Sequence, residues 1–165
     1  MIRKLLFIFC MVFSLSGFAE DNPLLVNITP QQFIKIYNKN IGTFGKEFRS
    51  ARIKSTEKSD DKSMIQFNVL PQIAGMGWVN SSGKLTSVMW LVGGEGLDAS
   101  AALVSLCSMI DSLDDSLILK DTGPLLSNYI NDELDSTPVE FQTEKNKYEI
   151  SKSDAYGLML KVSSL

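Results

Sequence analysis

The sequence predicts a single α+β domain, in which a curved antiparallel sheet has an N-terminal helix and two central helices packed on one face. The chain has 165 residues, close to the usual size of one domain. Apolar residues recur at helical spacing in two regions, while other segments alternate between apolar and polar residues as half-buried strands do. We expect five to seven strands.

Residues 1–19 have the features of a secretory signal peptide. Arg3 and Lys4 precede an apolar run that ends in small residues. The run is shorter than the roughly 20 residues that a membrane-spanning helix needs. We therefore expect cleavage after Ala19, one domain formed by residues 20–165, no stable membrane anchor after cleavage, and a periplasmic or secreted location.

The first helix is predicted from its N-terminal cap. Thr29 precedes Pro30, and Gln32 completes a capping box. Apolar residues follow at helical spacing: Phe33, Ile36, Tyr37, Ile41 and Phe44. We expect this helix to end near Gly42 or Gly45.

A block of antiparallel strands is predicted next. Segment 49–55 is polar and typical of an edge strand, and the charged segment 56–63 is expected to be a loop. Residues 75–79 and 85–92 are predicted to form a hairpin, with Gly83 at positive φ in its turn. Between these elements, alternation places three apolar side chains on one face: Ile65, Phe67 and Val69.

Two helices and further strands are predicted for the second half of the chain. An apolar stripe indicates the first of these helices: Leu103, Leu106, Cys107, Ile110 and Leu113. Asp98 or Ser100 is expected to cap it, and a second helix is expected from Pro124 to Leu134. Strand patterns then return in three segments: 139–143, 148–151 and 155–162.

Composition argues against several chemistries. The chain has no histidine, which removes the Ser-His and Cys-His nucleophile arrangements and the commonest ligand for zinc, copper or non-haem iron. The net charge is −3 without a basic cluster, so we expect no nucleic-acid partner. Only Cys107 would remain after cleavage, and its place on an apolar stripe predicts a buried core residue. We predict neither a cofactor nor a metal.

One glycine-rich segment fits a nucleotide-binding pattern. Gly94, Gly96 and Ala99 match the spacing G-x-G-x-x-A at the end of a strand. A dinucleotide turn needs a parallel strand-helix-strand unit, however, and the strand here is predicted to belong to an antiparallel hairpin. Glu95 would also place a negative charge beside the phosphates. We interpret the segment as a chain-reversing loop.

Other short matches carry little weight. Residues 121–123 are the tripeptide of aspartic proteases, but the chain lacks the long all-β pattern of that fold. Segments 55–58 and 59–62 match S-x-x-K without the companion motifs of penicillin-recognising enzymes. Three carboxylate pairs are interpreted as solvated charges: Asp60 with Asp61, Asp114 with Asp115, and Asp132 with Glu133.

Four large side chains of the central strands are the candidate partner-binding surface. They are Trp78, Trp90, Met76 and Met89, and Met64 belongs to the same cluster of methionines and tryptophans. We expect the two tryptophans to lie across from each other in the hairpin. Methionine and aromatic residues are enriched at interfaces and also fill ordinary cores, so both interpretations stay open.

Export and the missing catalytic chemistry together favour a small non-catalytic binding protein. Such a protein would engage a protein partner as an inhibitor, an immunity factor or a chaperone. One alternative is a carrier that holds a small apolar ligand in a cavity between sheet and helices. Another is a hydrolase that works with carboxylates alone.

Overall fold

Seven antiparallel strands form one open sheet, and three α-helices accompany it in the part of the chain that the structure describes. This confirms the predicted α+β class. The computed structural model describes residues 27–48, 51–59, 62–93, 99–114, 117, 119–128, 138–153 and 157–165. The predicted signal peptide and the segment 94–98 lie outside these residues.

The sheet consists of two meanders joined side by side. The helices are α1 (Pro30–Ile41), α2 (Ala99–Leu113) and α3 (Leu119–Asn128), and a short 3-10 helix, Lys46–Phe48, follows α1. The strands are β1 (Arg52–Ser59), β2 (Lys62–Leu70), β3 (Ile73–Val79), β4 (Leu85–Val92), β5 (Val139–Gln142), β6 (Asn146–Ser153) and β7 (Gly157–Ser164). Their order in the sheet is β1-β2-β3-β4-β7-β6-β5, so β1 and β5 are the edges.

Helix α1 begins with the predicted capping box. The backbone N–H of Gln32 donates to the Thr29 hydroxyl at 3.3 Å, and the Thr29 N–H donates to the Gln32 side chain at 2.9 Å. The helix ends at Ile41, and the N–H of Gly42 bonds the carbonyl of Asn38 at 3.2 Å. Local side-chain chemistry therefore sets the N-terminal end of this element.

The buried face of α1 differs in part from the predicted stripe. Phe33, Tyr37 and Ile41 are buried as expected, but Ile36 is 36% exposed and Phe44 is 41% exposed. The side chain that completes the buried face is Ile34. At 100° per residue it lies beside Tyr37 and Ile41, whereas Ile36 projects to the other side.

Strand β1 is longer than the sequence predicts. It continues to Ser59, so most of the expected loop 56–63 belongs to strands. Thr56, Glu57 and Lys58 pair with residues of β2 across the ladder. Because β1 is an edge strand, its polar side chains stay in water while its backbone gains hydrogen bonds from β2.

Helix α3 also begins earlier than predicted. Pro124 lies inside the helix and not at its start, although proline removes a backbone donor there. Two contacts accompany this earlier start: the Thr122 hydroxyl donates to Asp111 of α2 at 3.1 Å, and Leu126 is fully buried in the core. Residues 129–134 of the predicted helix lie outside the described residues.

One row of side chains crosses the covered face of the whole sheet. It consists of residues that pair directly across neighbouring strands: Ile53, Phe67, Gly75, Trp90, Leu160, Ile150 and Val139. The glycine leaves space for the fully buried Trp90 ring. That ring lies 5.5 Å from Phe33, 5.6 Å from Tyr37 and 5.7 Å from Phe67 between ring centres. Helix α1 thus packs on the sheet through four aromatic rings.

Gly75→Ala tests this packing. A Cβ at position 75 would lie 2.6 Å from the Trp90 ring, so we expect the substitution to lower the free energy of unfolding by about 1–3 kcal/mol, a magnitude typical of overpacking. Gly123→Ala in α3 is the matched control, because a Cβ there meets no atom within 4 Å. The control should be neutral or stabilising. Equal urea midpoints for both variants would contradict the close contact.

Candidate functional site

The face of the sheet opposite the core carries a group of large apolar side chains. Side chains alternate between the two faces of a strand, so the neighbours of core residues point away from the helices. Across the ladders these neighbours form three direct pairs: Met64 with Trp78, Met76 with Met89, and Leu91 with Met159. All six side chains are half-buried. We call this group the methionine stripe.

The methionine stripe crosses the sheet diagonally. It starts on β2 and β3, continues on β3 and β4, and ends on β4 and β7. With strands about 4.8 Å apart and about 3.3 Å per residue along each strand, the stripe is roughly 20 Å long. The described helices contact the other face through Trp90 and Tyr148, so we treat the stripe as the open face of the sheet.

Polar groups border the stripe on both sides. Toward β5, Lys161 pairs with Glu149 at 3.9 Å and Lys147 pairs with Glu140 at 2.8 Å. Toward β1, the Gln66 amide donates to Glu57 at 3.3 Å. Ion pairs that solvent reaches, wholly or in part as here, add little to stability. An apolar centre with a polar rim is the usual anatomy of a protein–protein interface.

A shallow depression adjoins one end of the stripe. It has a volume of about 280 Å³ and is lined by the β2–β3 turn, including Leu70 and Pro71, and by Ala74 and Leu91 of the open face. The turn is held by a hydrogen bond from the Gly93 N–H to the Gln72 carbonyl at 3.2 Å. The depression is smaller than typical pockets for drug-sized ligands. Its size suits a single large side chain.

The structure brings together three of the four predicted surface residues. Met76, Trp78 and Met89 share the open face, but Trp90 is fully buried on the other face and is a core residue. The two tryptophans are not opposite each other, because Trp78 pairs with Ser87 and Trp90 pairs with Gly75.

Sequence reasoning missed two members of the stripe. Leu91 and Met159 lie on the open face, paired with each other across β4 and β7. Their signal was present in the sequence, because Met159 lies between two leucines of the predicted strand 155–162, Leu158 and Leu160, and alternation puts those two on one face. Alternation therefore places Met159 on the opposite face.

Cys107 is buried, as the sequence analysis expects. It is 2% exposed on α2. Burial, together with the nearby charge of Asp111, raises the pKa of the thiol to about 12. The side chain is therefore a neutral thiol at physiological pH, and such a group is a poor nucleophile.

The interpretation of the carboxylate pairs as solvated charges is wrong for Asp114, which is buried. It is 1% exposed, and one of its oxygens accepts hydrogen bonds from the Thr143 hydroxyl at 2.5 Å and the Tyr148 hydroxyl at 3.0 Å. The Asn146 amide donates to the Leu113 carbonyl at 3.0 Å beside it. Burial and the negative charge of Asp114 raise the pKa of Tyr148. This cluster ties the end of α2 to the β5–β6 turn and is closed to solvent.

Asp111 makes a different contact. Its carboxylate accepts from the Thr122 hydroxyl of α3, whereas Asp114 bonds to residues of β5–β6. Burial raises the pKa of Asp111 to about 6, although the hydrogen bond from Thr122 opposes that shift. The two carboxylates therefore have separate partners and do not form an acid–base pair. Among the described residues no group of three potential metal ligands comes together.

The function of the chain has to be argued from the geometry of the described residues, because the comparisons with known proteins give no relative. Comparison of the chain with protein-family models, curated proteins and solved structures finds no match. Within the described ranges, no helix has the length and apolar character needed to cross a membrane. The open face with its stripe is the feature from which a function can be argued.

Asp111→Asn tests the burial of that carboxyl. Its pKa in the folded protein is about 6, above the ordinary value of 3.8, so the folded state binds more protons between these two pH values. The contribution of Asp111 to stability therefore falls as pH rises from about 4 to about 6. Asparagine does not titrate, so the variant should lose this part of the pH dependence.

The measurement is the free energy of unfolding in urea between pH 4 and pH 7. As pH rises across that window, the free energy of unfolding of the variant should increase relative to that of the wild type. Glu144→Gln, on the exposed β5–β6 turn, is the control for removal of a carboxylate. Parallel stability curves for wild type and Asp111→Asn would contradict the raised pKa.

Proposed function

We propose that the protein is a small exported, non-catalytic binding protein whose methionine stripe docks a protein partner. The observation that carries the proposal is a diagonal apolar stripe on the open face, bordered by ion pairs and amides. Action as an inhibitor, an immunity factor or a chaperone fits a stripe of this type. Export is proposed from the signal-peptide features of residues 1–19.

The chemistry of the stripe supports a partner with an elongated apolar surface. Methionine is unbranched and polarizable, so it adapts to irregular surfaces more readily than branched side chains do. Four of the six stripe residues are methionines, and Trp78 adds a large rigid ring of the type that often dominates binding energy. The adjoining depression offers a place for one anchoring side chain of the partner.

The alternatives receive less support. A carrier needs a cavity between sheet and helices, but the Trp90 ring and the three aromatic rings around it fill that space. A carboxylate-based hydrolase needs converging carboxylates that a substrate can reach. Asp111 and Asp114 instead bond to separate elements, and Asp114 is closed to solvent.

Site-specific photo-crosslinking in the source cells tests the proposal. A photoreactive residue placed at Met89, in the centre of the stripe, should give an adduct of defined mass with one protein. The same residue placed at Met76 should give the same adduct, whereas placement at the exposed Lys35 of α1 should not. Mass spectrometry of the adducts identifies the partner.

Binding of that purified partner then gives the quantitative test. Met89→Lys places a charge in the apolar stripe and should weaken binding at least about tenfold, equivalent to about 1.4 kcal/mol. Gln142→Lys adds the same charge on the open face outside the stripe and should leave the dissociation constant unchanged. Adducts that do not depend on position, or equal binding by both variants, would contradict the proposal.

A further inference from the structure

The edge strand β1 has one side with which no described strand pairs. Its other side pairs with β2. The start of the strand is held in place because the Asn38 amide of α1 bonds both backbone groups of Ala51, at 2.8 and 3.1 Å. A bulge between Ile53 and Ser55 interrupts the ladder, and the regular segment beyond it, 55–59, is the template for strand addition.

The charge of β1 differs from that of the whole chain. Arg52, Lys54 and Lys58 outnumber Glu57, which leaves the strand with a charge of +2, whereas the chain carries −3. All four side chains are exposed. Among the described residues, the ion pairs of the sheet lie toward its other edge, between β5 and β6 and between β6 and β7.

We propose that β1 docks an extended acidic segment of the partner protein, which adds to the sheet as an eighth strand. Backbone hydrogen bonds would supply affinity, and the cations of β1 would select for acidic side chains. The inference rests on the proposed function, because it names the chemistry of the partner, but its test does not use the methionine stripe.

The same charges disfavour pairing between two copies of the chain. Two β1 strands side by side would each bring a charge of +2, and like charges across a strand pair are destabilising. Edge lysines are a common protection against such self-pairing. An acidic segment would meet no such repulsion, so the charges of β1 make this edge selective for acidic segments over a second copy of β1.

The test uses a variant of the protein whose own β1 is made acidic, so that the added strand has the same length as the wild-type β1. Lys54→Glu combined with Lys58→Glu changes the charge of β1 from +2 to −2. The wild type and this variant are studied alone and as a mixture by sedimentation velocity at low salt. The mixture should associate at least about tenfold more tightly than either protein alone, and added salt should abolish this association.

Two further variants make the result specific. Lys35→Glu combined with Lys39→Glu makes the same change of net charge on exposed positions of α1 and should not associate with wild type. Arg52→Glu combined with Lys58→Glu also gives β1 a charge of −2, and serves if the first variant folds poorly. Adding Met89→Lys to both partners should not alter the association, so this test is independent of the stripe.

An unassociated mixture would overturn the inference, and so would equal association by the α1 control. Either result would mean that the cations of β1 serve only to protect the edge. Association that persists at high salt would also count against it, because charge complementarity would then not be the cause.

Discussion

The contact between the Trp90 ring and Gly75 is the constraint on which the rest of the structure depends. The ring occupies the space that a Cβ at position 75 would take, and it is closed in by the rings of Phe33, Tyr37 and Phe67. Because side chains alternate along a strand, an inward Trp90 requires its neighbours on β4 to point outward. A slip of one residue would exchange the two faces. The packing that covers one face therefore also creates the methionine stripe on the other.

Buried polar contacts hold the helices where the aromatic rings place them. The Tyr37 hydroxyl bonds the Ser105 hydroxyl at 2.7 Å between α1 and α2, and Asp114 ties the end of α2 to the β5–β6 turn. These buried hydrogen bonds favour the observed arrangement of the helices, since breaking one would leave a buried hydroxyl or carboxylate without that partner. The covered face is thus closely packed, while the open face carries unbranched methionine side chains. This combination supports the proposal that the open face docks a partner.

Local chemistry explains why some of this could be predicted from the sequence and some could not. The capping box of α1 and the turn at Gly83, with its φ of 74°, depend on neighbouring residues, and both were predicted. Strand β4 is apolar on both faces, so alternation alone cannot assign Trp90 to the core. The burial of Asp114 depends on Tyr148, which lies 34 residues along the chain. Such distant contacts leave no pattern around the residue itself.

The most direct test of the two-faced sheet uses its two tryptophans, Trp78 and Trp90. Trp78→Phe leaves only Trp90, and the quenching of its fluorescence by iodide is compared with that of the wild type. A core Trp90 and an open-face Trp78 predict that the variant emits at shorter wavelength and loses most of the quenching. Quenching as strong as in the wild type would show that Trp90 is accessible to solvent. That result would contradict the assignment of the faces and, with it, the methionine stripe.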